Sequence, residues 1–165
     1  MITLSLTFAQ ATPVESGIVR NILTEVQAWL HQRELVQWTN AFSETWLQKQ
    51  IGNGHFYVVR QAEVPVAVFR LLVADPVYWG HDTTPALYLH TLAVARTAKG
   101  QGIGKKILDW AAQKARAEGK TCLRLDCLAD NPVLISYYAD YGFVFIARKE
   151  IKERKHILYE LPLVS

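Results

Sequence analysis

Residues 86–106, ALYLHTLAVARTAKGQGIGKK, decide how the rest of the chain is read. They begin as a strand-like run, ALYLHTLAV at 86–94, and pass through three glycines in five positions, Gly100, Gly102 and Gly104. An apolar-periodic helix follows at 102–120, closing at Gly119. Strand, glycine turn and helix start bring unpaired backbone N–H groups and the positive end of a helix dipole to one place, where an anion is favoured. Bare Cα positions let phosphate oxygens reach those amides, and Lys99, Lys105 and Lys106 add positive charge. The same glycines also suit a tight turn with a close helix–strand crossing. Spacing excludes two other readings. The phosphate loop G-x-x-x-x-G-K-[ST] fails because Gly100 and Gly104 are too close and no Ser or Thr follows Lys105. The dinucleotide fingerprint G-x-G-x-x-G fails because these glycines give G-x-G-x-G, with Asp126 too deep in a strand to read a ribose.

Outward from that turn, the pattern predicts a strand at 2–8 and a helix in ESGIVRNILTEVQAWL, where Ile18, Ile22, Val26 and Leu30 share one face. A shorter helix follows in SETWLQKQ with Ser43 as its cap, and then two strands around a polar turn near Gln61–Glu63. After the glycine helix come a strand, TCLRLDCLA, and a helix with Asn131 at its cap and Pro132 in its first turn. FVFIARKEI and HILYELPLV read as a closing antiparallel pair. The order β-α-α-β-β-β-α-β-α-β-β implies an α/β (α+β) fold, a mixed sheet of about seven strands with helices on both faces.

With 165 residues, half of them apolar and a fifth charged, the chain suits one soluble domain, 1–165. The net charge of +3 is spread along the chain, which admits an anionic ligand and excludes a nucleic-acid arm. No segment has the length of a membrane span or the build of a signal peptide. Cys122 and Cys127 lie five apart on one strand, hence on opposite faces, and read as buried free thiols of a cytoplasmic protein. The five histidines are dispersed and the cysteines diverge, so no metal cluster is expected.

Two motifs resemble the GNAT superfamily of acyl-CoA-dependent N-acetyltransferases. The pyrophosphate signature [QR]-x-x-G-x-[GA] corresponds to Lys99-Gly100-Gln101-Gly102-Ile103-Gly104, with Lys99 in place of the usual Arg or Gln. Downstream, NPVLISYYADYGF is similar to the N-x-x-A-x-x-L-Y-x-x-x-G-F helix at Asn131, Tyr138, Gly142 and Phe143. The resemblance covers residues 56–160, the cofactor-binding core, and leaves 1–55 as the variable acceptor side. It implies acetyl-CoA as co-substrate, with Leu92 and Val94 pairing with its pantetheine arm through their backbone. Residues 99–105, Lys105 included, would hold the pyrophosphate, Asn131 would bond the pantetheine or its entrance, and Tyr138 would stand beside the thioester sulfur.

That chemistry has two proton problems. An alkyl amine of pKa ~10.4 is protonated at pH 7, and freeing its lone pair costs about 4–5 kcal/mol. A base is needed, and the leaving thiolate, near ~8.5, needs a donor still protonated at pH 7, which tyrosine provides. Tyr138 fits the donor. His90 is the first choice of base, because alternation sets Tyr88, His90, Leu92 and Val94 on one face and the strand resembles the histidine-bearing strand of serotonin N-acetyltransferase. A half-buried histidine satisfied by hydrogen bonds is the other reading, with Tyr88 and His55 as further contributors to a water chain. Asp126 falls with Arg124 at period two, which suits an internal ion pair or sheet-end hydrogen bond over a proton relay. Trp110 reads as packing. Trp38 and Trp46 read as an acceptor-pocket wall or as core. The acceptor is then a primary amine of a small molecule or peptide, with no nucleic-acid or membrane partner, and a homodimer is compatible. Two alternatives are a non-catalytic CoA-binding regulatory module and a transferase of a longer acyl group.

Overall fold

In the computed structural model, which describes residues 5–163, the strands are β1 (Leu6–Gln10), β2 (Phe56–Gln61), β3 (Val64–Leu72), β4 (Ala86–Val94), β5 (Cys122–Leu128), β6 (Val144–Ile151) and β7 (Arg154–Pro162). The helices are α1 (Ser16–Gln32), α2 (Glu44–Gly52), α3 (Pro76–Trp79), α4 (Ile103–Ala117) and α5 (Pro132–Tyr141). Single 3-10 turns lie at Pro13–Glu15 and Arg96–Ala98. The strands make a seven-stranded sheet in the order β1-β2-β3-β4-β5-β7-β6. It is mixed: β4 and β5 run parallel, whereas β1–β2, β2–β3, β5–β7 and β6–β7 are antiparallel. The element order is the one the sequence pattern predicts, apart from the short helix α3. Of the first expected strand, residues 2–4 lie outside the described residues, and the strand runs on to Gln10.

Local chemistry sets the helix starts. Ser43 Oγ accepts from the Trp46 N–H at 3.2 Å, and Asn131 Oδ1 accepts from the Leu134 N–H at 3.2 Å. Each satisfies an amide that the first turn of a helix leaves without a partner. Pro132 sits where its missing N–H costs nothing.

The chain divides into two compact units. One comprises the described residues up to Arg70 with Thr91–Gly104, the other Leu71–His90 with the described residues from Lys105 onward. In the first, α1 buries Val19, Ile22, Leu23, Val26 and Leu30 against Leu47 and Ile51 of α2 and against Phe56, Val58, Val68 and Ala93 of the strands. Each of the Val, Leu, Ile and Phe side chains contributes about 1.5–3 kcal/mol by leaving water. Trp38, Phe42 and Trp46 pack on this core as a run of ring contacts, 5.5 and 5.9 Å between centroids, which continues to Phe56 at 5.7 Å.

In the second unit, β7 lies between β5 and β6, with Arg124 opposite Glu160 and His156 flanked by Leu128 and Lys149. The parallel ladder of β4 and β5 covers Ala86–Tyr88 with Cys122–Arg124. Cys122 and Cys127 are free and buried. Among the described residues no helix is long and apolar enough to cross a membrane.

Candidate active site

One row of polar residues in the second unit is structural. Arg124 Nε donates to Glu160 Oε2 at 2.8 Å, and its Nη1 donates to Asp82 Oδ2 at 2.8 Å and to Tyr88 Oη at 3.2 Å. Its guanidinium lies 4.2 Å from the Trp79 ring centroid. Burial alone would depress the guanidinium, but the hydrogen bonds to Glu160, Tyr88 and Asp82 prevail and push its pKa up. Tyr88 is thereby committed to the arginine. The sequence pattern aligns Asp126 with Arg124; the structure instead gives the arginine to Asp82 and Glu160 and turns Asp126 toward histidines.

The second row holds His90. Its Nε2 is 2.6 Å from Asp75 Oδ2, and its Nδ1 is 3.6 Å from Asp126 Oδ1. The other oxygen of Asp126 is 2.9 Å from His156 Nδ1. The side chains of Asp75, His90, Asp126 and His156 are only 7–11% exposed. The Tyr78 ring covers both imidazoles, 5.3 Å from His90 and 5.2 Å from His156. Buried polar groups must be paired, and here each carboxylate meets an imidazole. With its hydrogen on Nε2, His90 donates to Asp75 and turns Nδ1 toward Asp126. Among the described residues no group of His, Cys, Asp and Glu has the arrangement to hold a metal ion.

The element that completes this row is α3. Asp75 precedes Pro76, and the single turn carries Tyr78 onto the histidines and Trp79 onto Arg124. Its sequence signal was the Asp-Pro pair, a helix-start signature followed by two aromatics. His156, in HILYELPLV, gave no signal beyond its strand position.

Tyr138 lies on α5 and is partly exposed, with Tyr137, Phe143 and Tyr159 around its ring at 5.4, 5.7 and 6.3 Å. Tyr141 donates to Asp109 Oδ1 at 2.5 Å and Tyr159 to the Ile135 carbonyl at 3.2 Å. The Tyr138 hydroxyl has no such partner among the described residues. Burial first, then nearby Cys127, Tyr137 and Asp126, push its pKa up, so it carries its proton at neutral pH.

In the first unit, Ala95 N–H donates to the Val66 carbonyl at 2.8 Å, and Arg96 N–H donates to Glu25 Oε1 at 3.2 Å. The Arg96 guanidinium stacks 3.6 Å from the Trp29 centroid, which Arg33 also approaches, at 4.1 Å. The chain thus reaches the glycine turn from a fixed start. Gly100 and Gly102 have φ of +76° and +71°, and a Cβ at either would meet nothing within 4 Å. No close crossing therefore demands glycine there. The left-handed backbone does, and the space a side chain would take is open. Lys99 and Gln101 are exposed, Ile103 is buried and anchors the helix start, and Gly104 lies in the first turn of α4. Lys99, Lys105 and Lys106 are exposed. Leu92 and Val94 are partly exposed on either side of buried Ala93.

Strict alternation does not carry from His90 to Leu92, because Thr91 between them has φ of +53°. That value is rare for a β-branched residue. Arg70 holds it, donating from Nε to Thr91 Oγ1 at 2.9 Å and from Nη1 to Gln50 Oε1 at 3.0 Å. His55 Nδ1 is 2.9 Å from the same Gln50 oxygen, and burial together with Arg70 depresses its pKa.

The model of the acetyltransferase (GNAT) family matches residues 23–143. The Bacillus subtilis (strain 168) N-acetyltransferase YesJ, itself uncharacterized, is 35% identical over 136 residues, 78% of this chain and 76% of that protein. A GNAT-family acetyltransferase from Listeria monocytogenes 4b F2365 has the same fold, with a TM-score of 0.83 at 22% identity over 98% of this chain and 99% of that one. So does Salmonella typhimurium yncA, solved with its cofactor acetyl-CoA, with a TM-score of 0.69 at 17% identity over 98% of this chain and 95% of that one. With the mixed seven-stranded sheet and the glycine turn opening α4, these matches establish that the chain belongs to the GNAT acetyltransferase family.

Proposed function

We propose that this protein transfers an acetyl group from acetyl-CoA to the primary amine of a small molecule or peptide by direct attack of the amine on the thioester. The observation that carries the reading is the left-handed, open turn at Gly100 and Gly102, which offers amides to an anion and no side chain in its way. Residues 99–105 would hold the pyrophosphate, with Lys99 and Lys105 adding charge. The co-substrate follows from the family and from yncA, solved with acetyl-CoA. β4 pairs with β5 over Ala86–Tyr88 and continues as a strand to Val94, which supports backbone pairing of Leu92 and Val94 with the pantetheine arm. Asn131 spends its side-chain oxygen on the cap of α5, so its carboxamide nitrogen is the group for that ligand. The family match crosses both units, which favours one catalytic domain.

Tyr138 is the proton donor to the departing thiolate. A raised pKa keeps its proton in place at pH 7, and its hydroxyl is committed to no protein acceptor among the described residues. His90 receives the proton of the amine, directly or through water, at the nitrogen that Asp75 leaves free. A binding-only module needs neither group, and a longer acyl chain has no specific support.

Release of free thiol from acetyl-CoA, measured against a panel of amines, amino acids, peptides and aminoglycosides, tests this directly. Amine-dependent thiol release is expected with at least one class. Acetyl-CoA at ~100 times its Kd should also stabilise the fold by ~2.7 kcal/mol. No thiol release and no thermal shift would overturn the reading.

A further inference from the structure

The reaction releases more protons than one histidine holds. The acceptor enters as R–NH3+ and leaves as an amide with a single N–H, so two N–H bonds break. One freed pair forms the new N–C bond to the acyl carbon, the other stays as the nitrogen lone pair, and the C–S pair leaves on sulfur. One proton ends on the sulfur of CoA, replacing the broken C–S bond, and the other ends in solvent. We propose that the Asp75–His90–Asp126–His156 cluster is a two-proton relay, in which His156 is a second proton-holding group coupled to His90 through the shared carboxylate of Asp126. The inference rests on the acetyl-transfer reading above and deepens it.

Three observations carry it. Asp126 divides its oxygens between the two imidazoles, 3.6 Å from His90 Nδ1 and 2.9 Å from His156 Nδ1, so a proton on either ring changes the field felt by the other. The cluster is buried, where charge acts at a lower dielectric than in water. Two carboxylates face two imidazoles, so the cluster reaches neutrality only with both rings protonated. Asp75 is a positioning residue, fixing His90 Nε2 as a donor and Nδ1 as the acceptor. The first proton of the amine goes to His90 Nδ1 and the second, after attack, is held at His156. One returns through the Tyr138 phenolate once its own proton has gone to sulfur. Asp126 already acts electrostatically on the Tyr138 hydroxyl.

Other titratable groups around the relay are Tyr78 of α3, over both rings, and the Lys149 ammonium of β6, which donates to the Tyr78 carbonyl at 2.9 Å. The buried Cys127 thiol of β5 is a third, and Asp126 acts on it electrostatically. A cleft of about 310 Å³, lined by Arg148, Lys149, Glu150 and Lys155, opens on the β6–β7 pair that carries His156.

The test is an NMR titration of the imidazoles in the full chain, run beside the pH profile of kcat/KM for the best amine. Asp126→Asn should move the midpoints of both His90 and His156 down by roughly 1 pH unit, since each loses an opposing charge. His156→Gln keeps a donor for Asp126 and removes the competing proton site. His90 should then titrate about 0.5 pH unit or more higher, with the acid limb of kcat/KM moving alongside and KM for acetyl-CoA unchanged. An unmoved His90 midpoint in His156→Gln overturns the relay, as does a moved midpoint with a fixed acid limb. If the wild type shows coupled midpoints but no thiol release with any amine, the acetyl-transfer reading falls and the coupling stands.

Discussion

Arg70 Nε donates to Thr91 Oγ1 at 2.9 Å, and Thr91, next to His90, is the residue of β4 held at a positive φ, +53°. Such a conformation costs on the order of 1–3 kcal/mol and persists only where surrounding contacts impose it. Arg70 is itself fixed by Gln50 and lies 5.1 Å from the Trp46 ring centroid. Arg70→Met should destabilise the fold by about 1.5–3 kcal/mol, the range for hydrogen bonds of a charged donor. The double variant with Thr91→Gly should lose less than the sum of the singles, because glycine adopts this φ freely. Urea unfolding of the four proteins measures the coupling, and strict additivity would refute the clamp.

The glycine turn can be separated from mere backbone strain by a matched pair. Gly102 and Gly119 have φ of +71° and +74°, and a Cβ at either would meet nothing within 4 Å. Valine at either position should cost on the order of 1–2 kcal/mol of stability. Gly102→Val should in addition weaken acetyl-CoA binding by about tenfold or more, ~1.4 kcal/mol, whereas Gly119→Val should not. Calorimetric titration of both variants decides, and equal affinities would remove the turn from the binding site.

Tyr138→Phe removes a hydroxyl without changing the ring that Phe143 and Tyr159 touch. kcat should fall by about 10²-fold or more, the usual worth of a positioned acid, while KM for acetyl-CoA stays near the wild-type value. Steady-state kinetics with saturating amine tests the assignment, and unchanged kcat would end it.

The two thiols predict an alkaline weakness. Burial is the largest cause raising Cys122 to about 11 and Cys127 to about 12, from an ordinary 9.0. A raised folded pKa means that the native state keeps a proton the unfolded chain releases. The stability is therefore whole below pH 9 and declines as pH rises toward 11–12. The urea midpoint should fall between pH 8 and pH 10, and Cys122→Ala with Cys127→Ala should flatten that fall. Tyr138 and Tyr141, both pushed upward chiefly by burial, add to the decline only above pH 10. At pH 8 neither thiol should react with iodoacetamide until urea is added.

The elements that the sequence makes legible are those fixed by near neighbours. Ser43 and Asn131 cap helices three residues ahead of the amides they satisfy. The 3.6-residue period gives α1 and α4. Gly100 and Gly102 announce their left-handed backbone because other residues rarely adopt it. Thr91 does the same thing without any such signal, since a β-branched residue has the opposite preference.

By itself, then, the sequence determined the order of strands and helices, the glycine turn and the family motifs at 99–104 and 131–143, because each depends on interactions within a turn of helix or a few residues of strand. The tertiary structure alone decided which charges meet. Asp75 joins His90 across 15 positions, Asp126 joins His156 across 30, and Arg124 reaches Glu160 and Asp82 across 36 and 42. A carboxylate in the sequence carries no mark of its partner. Burial forces each one to be paired, and only sheet register and the turn at α3 determine with whom.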